Sequence, residues 1–204
     1  MVKVSASVLS RNFSQEAVDA VKSADMLQLD IMDGEFVPHR TIWADSIDFI
    51  KTDLIKDVHL MIMRPEEHVE DFMDSGADRI AFHVEATDVP QAVIGLIQGR
   101  GIKAGIAINP ETPLENILPF LEEVDFVLVM TVNPGASGGG FIDEALNKVR
   151  LIRKNFPNLE IEVDGGIDSE TAKLAVNAGA DIVVSDTYIN VDPEERIRIL
   201  KDIN

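Results

Sequence analysis

The chain has 204 residues, 46% of them hydrophobic, and a formal net charge of −18 at pH 7. Length and composition predict a single soluble domain that spans residues 1–204. The strong negative charge argues against binding to nucleic acid or to an anionic membrane surface, because both attract basic patches. The absence of Cys excludes disulfides and thiol catalysis. The apolar runs are too short to span a bilayer and the N-terminus does not look like a secretory signal, so we expect a cytoplasmic protein.

Short apolar runs alternate with amphipathic segments along the whole chain. The predicted strands are residues 2–8, 26–31, 56–61, 79–83, 103–108, 126–131, 160–163 and 181–185. The predicted helices are residues 14–23, 44–51, 65–75, 89–99, 114–121, 143–155, 169–177 and 193–201. Eight strand–helix units with continuous apolar strands predict an α/β fold of the TIM (β/α)8 barrel type. A doubly wound open sheet is the structural alternative.

A weak internal repeat supports the barrel. Four helix-to-strand junctions end in an aspartate, at Asp25, Asp78, Asp125 and Asp181. Their spacing of roughly fifty residues corresponds to two strand–helix units, so four repeats account for eight strands.

Polar or ionisable residues lie at the C-terminal end of every predicted strand, and in a TIM barrel the active site lies at these strand ends. They are Ser7, Asp30, His59, His83, Asn109, Asn133, Asp164 and Asp186. Polar turns are common in any loop, and this explains Asp33-Gly34 well. It explains His59 poorly, because His59 lies between apolar residues and is expected to be buried.

Side chains alternate along a strand, so Gln28 and Asp30 share one face, as do Glu162 and Asp164. If these faces point into the barrel, Gln28, Asp30, His59 and Asp164 converge on one point. Two carboxylates, an imidazole and an amide oxygen are suitable ligands for a divalent transition metal. The residue pattern alone also permits a purely structural role for His59.

Three further patterns bear on the predicted site. The Gly-rich run from Asn133 to Gly140 has backbone N–H groups that can approach an anion, and it is also suited to a lid. Met32, Met61 and Met130 near strand ends can form an apolar shell that keeps water from a reactive intermediate. Lys103, early in its strand, is predicted to form a structural ion pair with Glu162 at the barrel floor.

Taken together, six segments in order resemble the ribulose-phosphate 3-epimerase family over nearly the whole chain. They are SASVLS (5–10), DIMDGEFVP (30–38), DVHLM (57–61), HVE (83–85), VNPG (132–135) and EVDGG (162–166). The resemblance implies a TIM barrel of the pentose phosphate pathway that interconverts D-ribulose 5-phosphate and D-xylulose 5-phosphate. It also implies a small phosphorylated ketose as the partner and a homo-oligomeric state.

By position, the resemblance assigns Asp30 and Asp164 as the acid/base pair and as metal ligands, with His59 as a third ligand. Gln28 stands where the family has a histidine ligand, so it is the candidate fourth ligand. The implied cofactor is a divalent metal ion, Zn²⁺ before Fe²⁺, Mn²⁺ or Co²⁺. The residues expected to contact substrate are Ser7, Met32, Met61, Met130, Gly135, Gly138, Gly165, Gly166 and Thr187.

Two departures from the family pattern leave other functions open. Gln28 is a weaker zinc ligand than histidine, and Asp186-Thr187 replaces a Gly-Ser pair that holds phosphate, where a carboxylate would repel a dianion unless it turns away. One alternative is a 3-epimerase for a ketohexose 6-phosphate of the allulose 6-phosphate type. The other is a degenerate barrel that binds a ligand without turnover.

Overall fold

The structure is a computed structural model, and it describes residues 1–9, 13–135 and 140–203. Eight parallel strands close into a barrel in sequence order, which confirms the predicted TIM barrel and excludes the open sheet. The strands are β1 (Lys3–Ser7), β2 (Met26–Met32), β3 (Ile55–Met61), β4 (Arg79–His83), β5 (Lys103–Ile108), β6 (Phe126–Met130), β7 (Glu160–Asp164) and β8 (Ile182–Ser185).

Within residues 1–9, 13–135 and 140–203, seven α-helices surround the barrel, and short 3-10 turns complete the connections. They are α1 (Gln15–Ala20), α2 (Ala44–Ile47), α3 (Val69–Asp74), α4 (Pro90–Gly99), α5 (Leu146–Asn155), α6 (Ser169–Ala178) and α7 (Pro193–Lys201). Among the described residues, no helix is long and apolar enough to cross a membrane.

The helix predicted over residues 114–121 is wrong. The chain instead forms two 3-10 turns, Leu114–Asn116 and Leu118–Phe120, between β5 and β6. Pro119 lies inside this segment, where its ring would clash with a carbonyl one turn earlier and it has no N–H to donate. The helix predicted over residues 44–51 is also shorter, because α2 ends at Ile47.

The four junction aspartates clamp the N-terminal ends of alternate strands. The Asp25 carboxylate accepts from the Val4 N–H at 2.9 Å, while the Asp25 N–H donates to the carbonyl of Val4 at 3.0 Å. The same two-bond pattern joins Asp78 to Lys56, Asp125 to Ala104 and Asp181 to Ile161. Each clamp ties an odd-numbered strand to the chain that enters the next strand. The sequence repeat is therefore a structural repeat of the barrel.

The barrel floor holds a buried ionic cluster centred on Arg79, which is 1% exposed. Its guanidinium lies 3.0 Å from Asp57 and 2.7 Å from both Glu160 and Glu162, and it stacks 3.6 Å from the Phe126 ring centroid. The predicted pair between Lys103 and Glu162 is therefore wrong. Lys103 is exposed at the first position of β5, whereas Arg79 points into the barrel.

Candidate active site

The strand register brings the predicted catalytic residues to one level of the barrel mouth. Asp30 of β2 lies beside His59 of β3, and Met130 of β6 lies beside Asp164 of β7. Strands β8 and β1 separate β7 from β2, so Asp30 and Asp164 project from well-separated walls of the barrel. One ligand atom from each of Asp30, His59 and Asp164 lies within 4.8 Å of the other two.

The two carboxylates converge on one nitrogen of His59. Its Nδ1 atom is 3.2 Å from Asp30 Oδ1 and 3.5 Å from Asp164 Oδ2. The Ser7 hydroxyl donates to Asp30 Oδ2 at 2.7 Å, so Ser7 orients this carboxylate. From below, Gln28 Nε2 donates to Asp30 Oδ1 at 3.2 Å and lies 3.5 Å from both Asp164 Oδ2 and His59 Nδ1.

Burial and mutual charge shift the proton affinities of this group. Burial alone would lower the pKa of His59, but the hydrogen bonds and charges of Asp164 and Asp30 outweigh it and raise the pKa to about 9. Burial raises the pKa of Asp164 to about 6, against the opposing effect of His59. A carboxyl group with a pKa near 6 can both lose and gain a proton near neutral pH.

The three residues fit a divalent cation. Two carboxylate oxygens and the imidazole nitrogen point at one another from three strands, and in the metal-free protein a proton on His59 offsets the negative charge. Such a set of nitrogen and oxygen donors suits zinc and related divalent ions. Because metal ligands must be deprotonated, a bound cation would take the place of that proton.

The metal-free protein is expected to lose stability as the pH rises from 6.5 to 9. The folded-state pKa of His59 lies above its ordinary value, so its stabilisation is complete below pH 6.5 and is lost as the pH passes 9. The loss is at most on the order of 3 kcal/mol. The free energy of unfolding should be measured by urea denaturation at several pH values in the presence of a chelator.

The matched control for this prediction is His59→Gln, whose stability should change much less over the same pH range. Saturation with Zn²⁺ should also remove most of the wild-type pH dependence. A wild-type stability that stays constant or rises between pH 6.5 and pH 9 would contradict the assigned proton on His59.

Above the three residues lies a cavity of about 370 Å³. Its lining includes eight of the nine residues predicted to contact substrate: Ser7, Met32, Met61, Met130, Gly135, Gly165, Gly166 and Thr187. The ninth, Gly138, lies outside the described residues, as do Ala136, Ser137 and Gly139 of the Gly-rich run. The three methionines are at most 4% exposed and give the cavity an apolar wall. Gln28 and His59 are buried and do not line the cavity.

Two consecutive glycines after β7 form a backbone turn at the cavity wall. Gly165 and Gly166 both have positive φ angles, of 118° and 65°. A Cβ at Gly165 would lie 2.4 Å from Val132 Cγ2, so a side chain is excluded there. Thr131 and Thr171 donate to the carbonyls of Gly165 and Gly166, at 2.6 Å and 2.9 Å, which fixes the orientation of both peptides.

The described lining of the cavity carries four carboxylates and no Lys or Arg: Asp30, Asp164, Asp168 and Asp186. Asp186, the residue predicted to disturb phosphate binding, accepts a hydrogen bond from Asn190 Nδ2 at 2.6 Å. Asp168 is the N-cap of α6 and accepts from the backbone N–H groups of Glu170 and Thr171. Both carboxylates are therefore engaged with neighbouring groups of the chain.

His83 and Glu85 lie directly behind His59, an arrangement that sequence analysis did not predict. His59 Nε2 is 2.8 Å from His83 Nε2, and His83 Nδ1 is 3.3 Å from Glu85 Oε2. The sequence identifies His83 as a polar strand end, and it identifies both residues as members of the HVE segment (83–85). The two residues are separated by one residue, and His83 is the last residue of β4. This spacing is the sequence signal that could have indicated a contact between them.

Known proteins are similar to this chain over nearly its whole length. Residues 3–190 match the model of the ribulose-phosphate 3 epimerase family. A Schizosaccharomyces pombe protein named ribulose-phosphate 3-epimerase is 38% identical, over 98% of this chain and 92% of that protein. A protein of Oryza sativa subsp. japonica, named ribulose-phosphate 3-epimerase, cytoplasmic isoform, is 39% identical over the same shares.

Solved structures agree on the fold. The 3-hexulose-6-phosphate synthase of Salmonella typhimurium superposes with a TM-score of 0.76 at 21% identity, over 99% of this chain and 98% of that chain. At this identity the likeness concerns the barrel alone. The family match and the two relatives cover nearly the whole sequence, including the strand ends that carry Asp30, His59 and Asp164. The chain belongs to the ribulose-phosphate 3-epimerase family.

Proposed function

We propose that this protein is a metal-dependent epimerase that interconverts D-ribulose 5-phosphate and D-xylulose 5-phosphate. The observation that carries the proposal is the convergence of Asp30 and Asp164, from separate walls of the barrel, within 4.8 Å of each other and of His59. A carbon atom held between them has a carboxylate on each face. Family membership and the relatives' names support the same activity.

Epimerisation at C3 requires removal of a weakly acidic proton next to a ketone and return of a proton to the opposite face. In our proposal one aspartate takes the proton and the other delivers one, and the roles exchange with the direction of reaction. Burial raises the pKa of Asp164 above the ordinary range of a carboxyl group, which favours proton uptake by this side chain. Ser7, which donates to Asp30 at 2.7 Å, holds the second carboxylate in position.

Asp30, His59 and Asp164 would hold the cation, and we propose Zn²⁺ because the set combines imidazole with carboxylates. When bound, a divalent ion supplies Lewis-acid stabilisation of the negative charge that develops on the substrate oxygens. The residues of the chain then bind, orient and exchange protons around it. Met32, Met61 and Met130 exclude water from the reacting carbon, since all three line the cavity.

Gln28 as a fourth ligand remains a prediction, and it requires a rotation of the amide. In the structure the amide nitrogen faces Asp30, and Gln28 Oε1 lies 3.4 Å from Ser5 Oγ. Rotation by half a turn would present Oε1 to the cation and Nε2 to Ser5. The Ser5 hydroxyl lies 3.1 Å from Asp57 Oδ2, so it can donate there and accept from Gln28.

For the phosphate we propose the backbone at Gly135, Gly165 and Gly166, with Thr187 and with Gly138 of the Gly-rich run. Consecutive backbone N–H groups in turns with positive φ form concave anion sites. The described lining of the cavity contains no Lys or Arg. Backbone N–H groups are therefore the proposed donors to the phosphate. The hydrogen bond from Asn190 Nδ2 orients one carboxylate oxygen of Asp186 toward the Asn190 amide.

We also propose a cytoplasmic location and a homo-oligomeric state. The location is supported by the name of the rice relative. The oligomer follows only from the family resemblance in the sequence.

The proposal is tested by loading purified, metal-stripped protein with Zn²⁺, Fe²⁺, Mn²⁺ or Co²⁺ in turn and assaying two sugars. We expect epimerisation of D-ribulose 5-phosphate with at least one metal, and a lower kcat/KM with D-allulose 6-phosphate. A higher kcat/KM with the hexose phosphate would reassign the substrate. Absence of turnover with both sugars and all four metals would indicate a degenerate barrel.

A further inference from the structure

A buried chain of hydrogen bonds runs from His59 to the backbone after β5. His59 Nε2 and His83 Nε2 are 2.8 Å apart, and the two imidazole rings stack with centroids 5.0 Å apart. His83 Nδ1 continues to Glu85 Oε2 at 3.3 Å. The other carboxylate oxygen, Glu85 Oε1, accepts from the N–H of Asn109 at 2.8 Å. His59 and His83 are at most 1% exposed, so water cannot substitute for these partners.

The Glu85 carboxylate at one end determines which atom donates in each hydrogen bond between Glu85, His83 and His59. A carboxylate can only accept, so His83 must carry its proton on Nδ1. A neutral His83 then has a lone pair on Nε2 and can only accept from His59 Nε2–H. Once His59 is neutral, its free lone pair is therefore on Nδ1, the atom that faces Asp30 and Asp164.

The electrostatics agree with this assignment of protons. The His83 ring is fully buried, and burial favours its neutral form. Burial would raise the pKa of Glu85, but the hydrogen bonds from His83, Thr112 and Asn109 lower it to about 2. Glu85 is therefore ionised at neutral pH.

We propose that Glu85, acting through His83, is a positioning residue that fixes the tautomer and ring orientation of His59 so that Nδ1 faces the metal. The inference rests on the metal site proposed above. It gives a role to two residues that do not line the substrate cavity. Partners of this kind are common behind metal-binding histidines and strengthen the binding of the ion.

The backbone at the Asn109 end of this hydrogen-bond chain is itself held in place by other residues. Lys148 of α5 donates to the carbonyls of Asn109 and Pro110 at 2.6 Å and 2.7 Å. This holds the backbone whose N–H binds Glu85. On the other side, the Phe36 ring packs 4.7 Å from the His83 ring. Helix α5 and two loops thus fix one imidazole, which in turn fixes the ligand.

The test is Glu85→Gln, which keeps the size of the side chain and reverses the direction of the bonds. The Asn109 N–H can only donate, so the new amide oxygen stays there and the amide NH₂ faces His83 Nδ1. His83 must then protonate on Nε2, which opposes Nε2–H on His59 and favours a proton on Nδ1, where the metal should bind. We expect the Zn²⁺ affinity, measured by competition with a chromophoric chelator, to fall about 10- to 100-fold.

The matched control is Asp125→Asn. Asp125 accepts from the backbone N–H of Ala104 at 2.9 Å, at the start of β5, whereas Asn109 follows the other end of that strand. Its Zn²⁺ affinity should equal that of the wild type within about twofold, the error of such a titration. His83→Phe should weaken binding as Glu85→Gln does, and the double variant should be no weaker than the weaker single variant.

A direct readout is the tautomer of His83 in the metal-free protein, by two-bond ¹H–¹⁵N NMR correlations of the four histidines. We expect Nδ1–H in the wild type and Nε2–H in Glu85→Gln. Wild-type Zn²⁺ affinity in Glu85→Gln, additive effects of the two substitutions, or Nε2–H in the wild type would each overturn the inference. If the wild type binds no divalent ion, the proposed function fails, and the tautomer of His83 still decides the inference.

Discussion

Asp164→Asn is expected to lower the epimerisation rate by about 10²- to 10⁴-fold, the usual contribution of a general acid or base. The amide cannot take up or deliver a proton, so the reacting carbon would lose its partner on one face. Asp30→Asn should have an effect of similar size. The rate should be measured with metal concentrations high enough to saturate each variant, because both residues are also proposed ligands.

The matched control for these variants is Asp33→Asn. Asp33 follows Asp30 by three residues, but its carboxylate accepts from the backbone N–H groups of Glu35, Phe36 and Met63. An asparagine there keeps the acceptor for Glu35 and Phe36 and loses only the bond from Met63, and neither Asp33 nor Met63 lines the cavity, so the rate should stay within a few fold of wild type. A rate close to wild type in Asp30→Asn or Asp164→Asn, with a normal circular dichroism spectrum, would refute the catalytic assignment.

Arg79→Leu is expected to lower the free energy of unfolding by about 3–5 kcal/mol, the usual cost of removing one partner of a buried ion pair. It would leave Asp57 and Glu162 on the barrel floor without a cation, and both are at most 2% exposed. Burial and the charge of Asp57 already raise the pKa of Glu162 well above its ordinary value. The loss should be measured by urea denaturation at pH 7.

The control for this prediction is Lys3→Met. Lys3 pairs at 2.8 Å with Glu160, a carboxylate that Arg79 also contacts, but the Lys3 side chain is 49% exposed. Exposed pairs contribute about 0–1 kcal/mol, so Lys3→Met should have little effect. The Arg79→Leu deficit should also shrink at pH 5, because a carboxyl group with a raised pKa destabilises the fold only when it is ionised. A loss below about 1 kcal/mol would contradict the role of Arg79.

Much of the barrel and the centre of its site follow from local sequence. Continuous apolar runs reflect strands covered on both faces, and the recurring junction aspartates reflect a clamp made within one repeat. Alternation along β2 and β3 was enough to place Asp30 and His59 in the barrel mouth. Pro119 is a local signal that the segment between β5 and β6 is not an α-helix, because it has no N–H to donate.

The contacts that could not be predicted depend on the packing of separate strands. Arg79 and Lys103 are register partners on β4 and β5, and the sequence does not show that Arg79 is buried among the carboxylates of the floor while Lys103 is exposed at the rim. The contact between His59 and His83 depends likewise on two ring orientations and on the spacing of β3 and β4. Side-chain direction across a closed barrel is set by all eight strands together.

The central claim is proton exchange by two carboxylates on opposite faces of one carbon, and hydrogen exchange at C3 tests it most directly. Metal-loaded protein should be given D-ribulose 5-phosphate in D₂O, and the product analysed by NMR during the first few per cent of conversion. We predict D-xylulose 5-phosphate that carries deuterium at C3, because the delivered proton comes from an aspartate that has equilibrated with solvent. Product that keeps the original hydrogen at C3 would contradict the account.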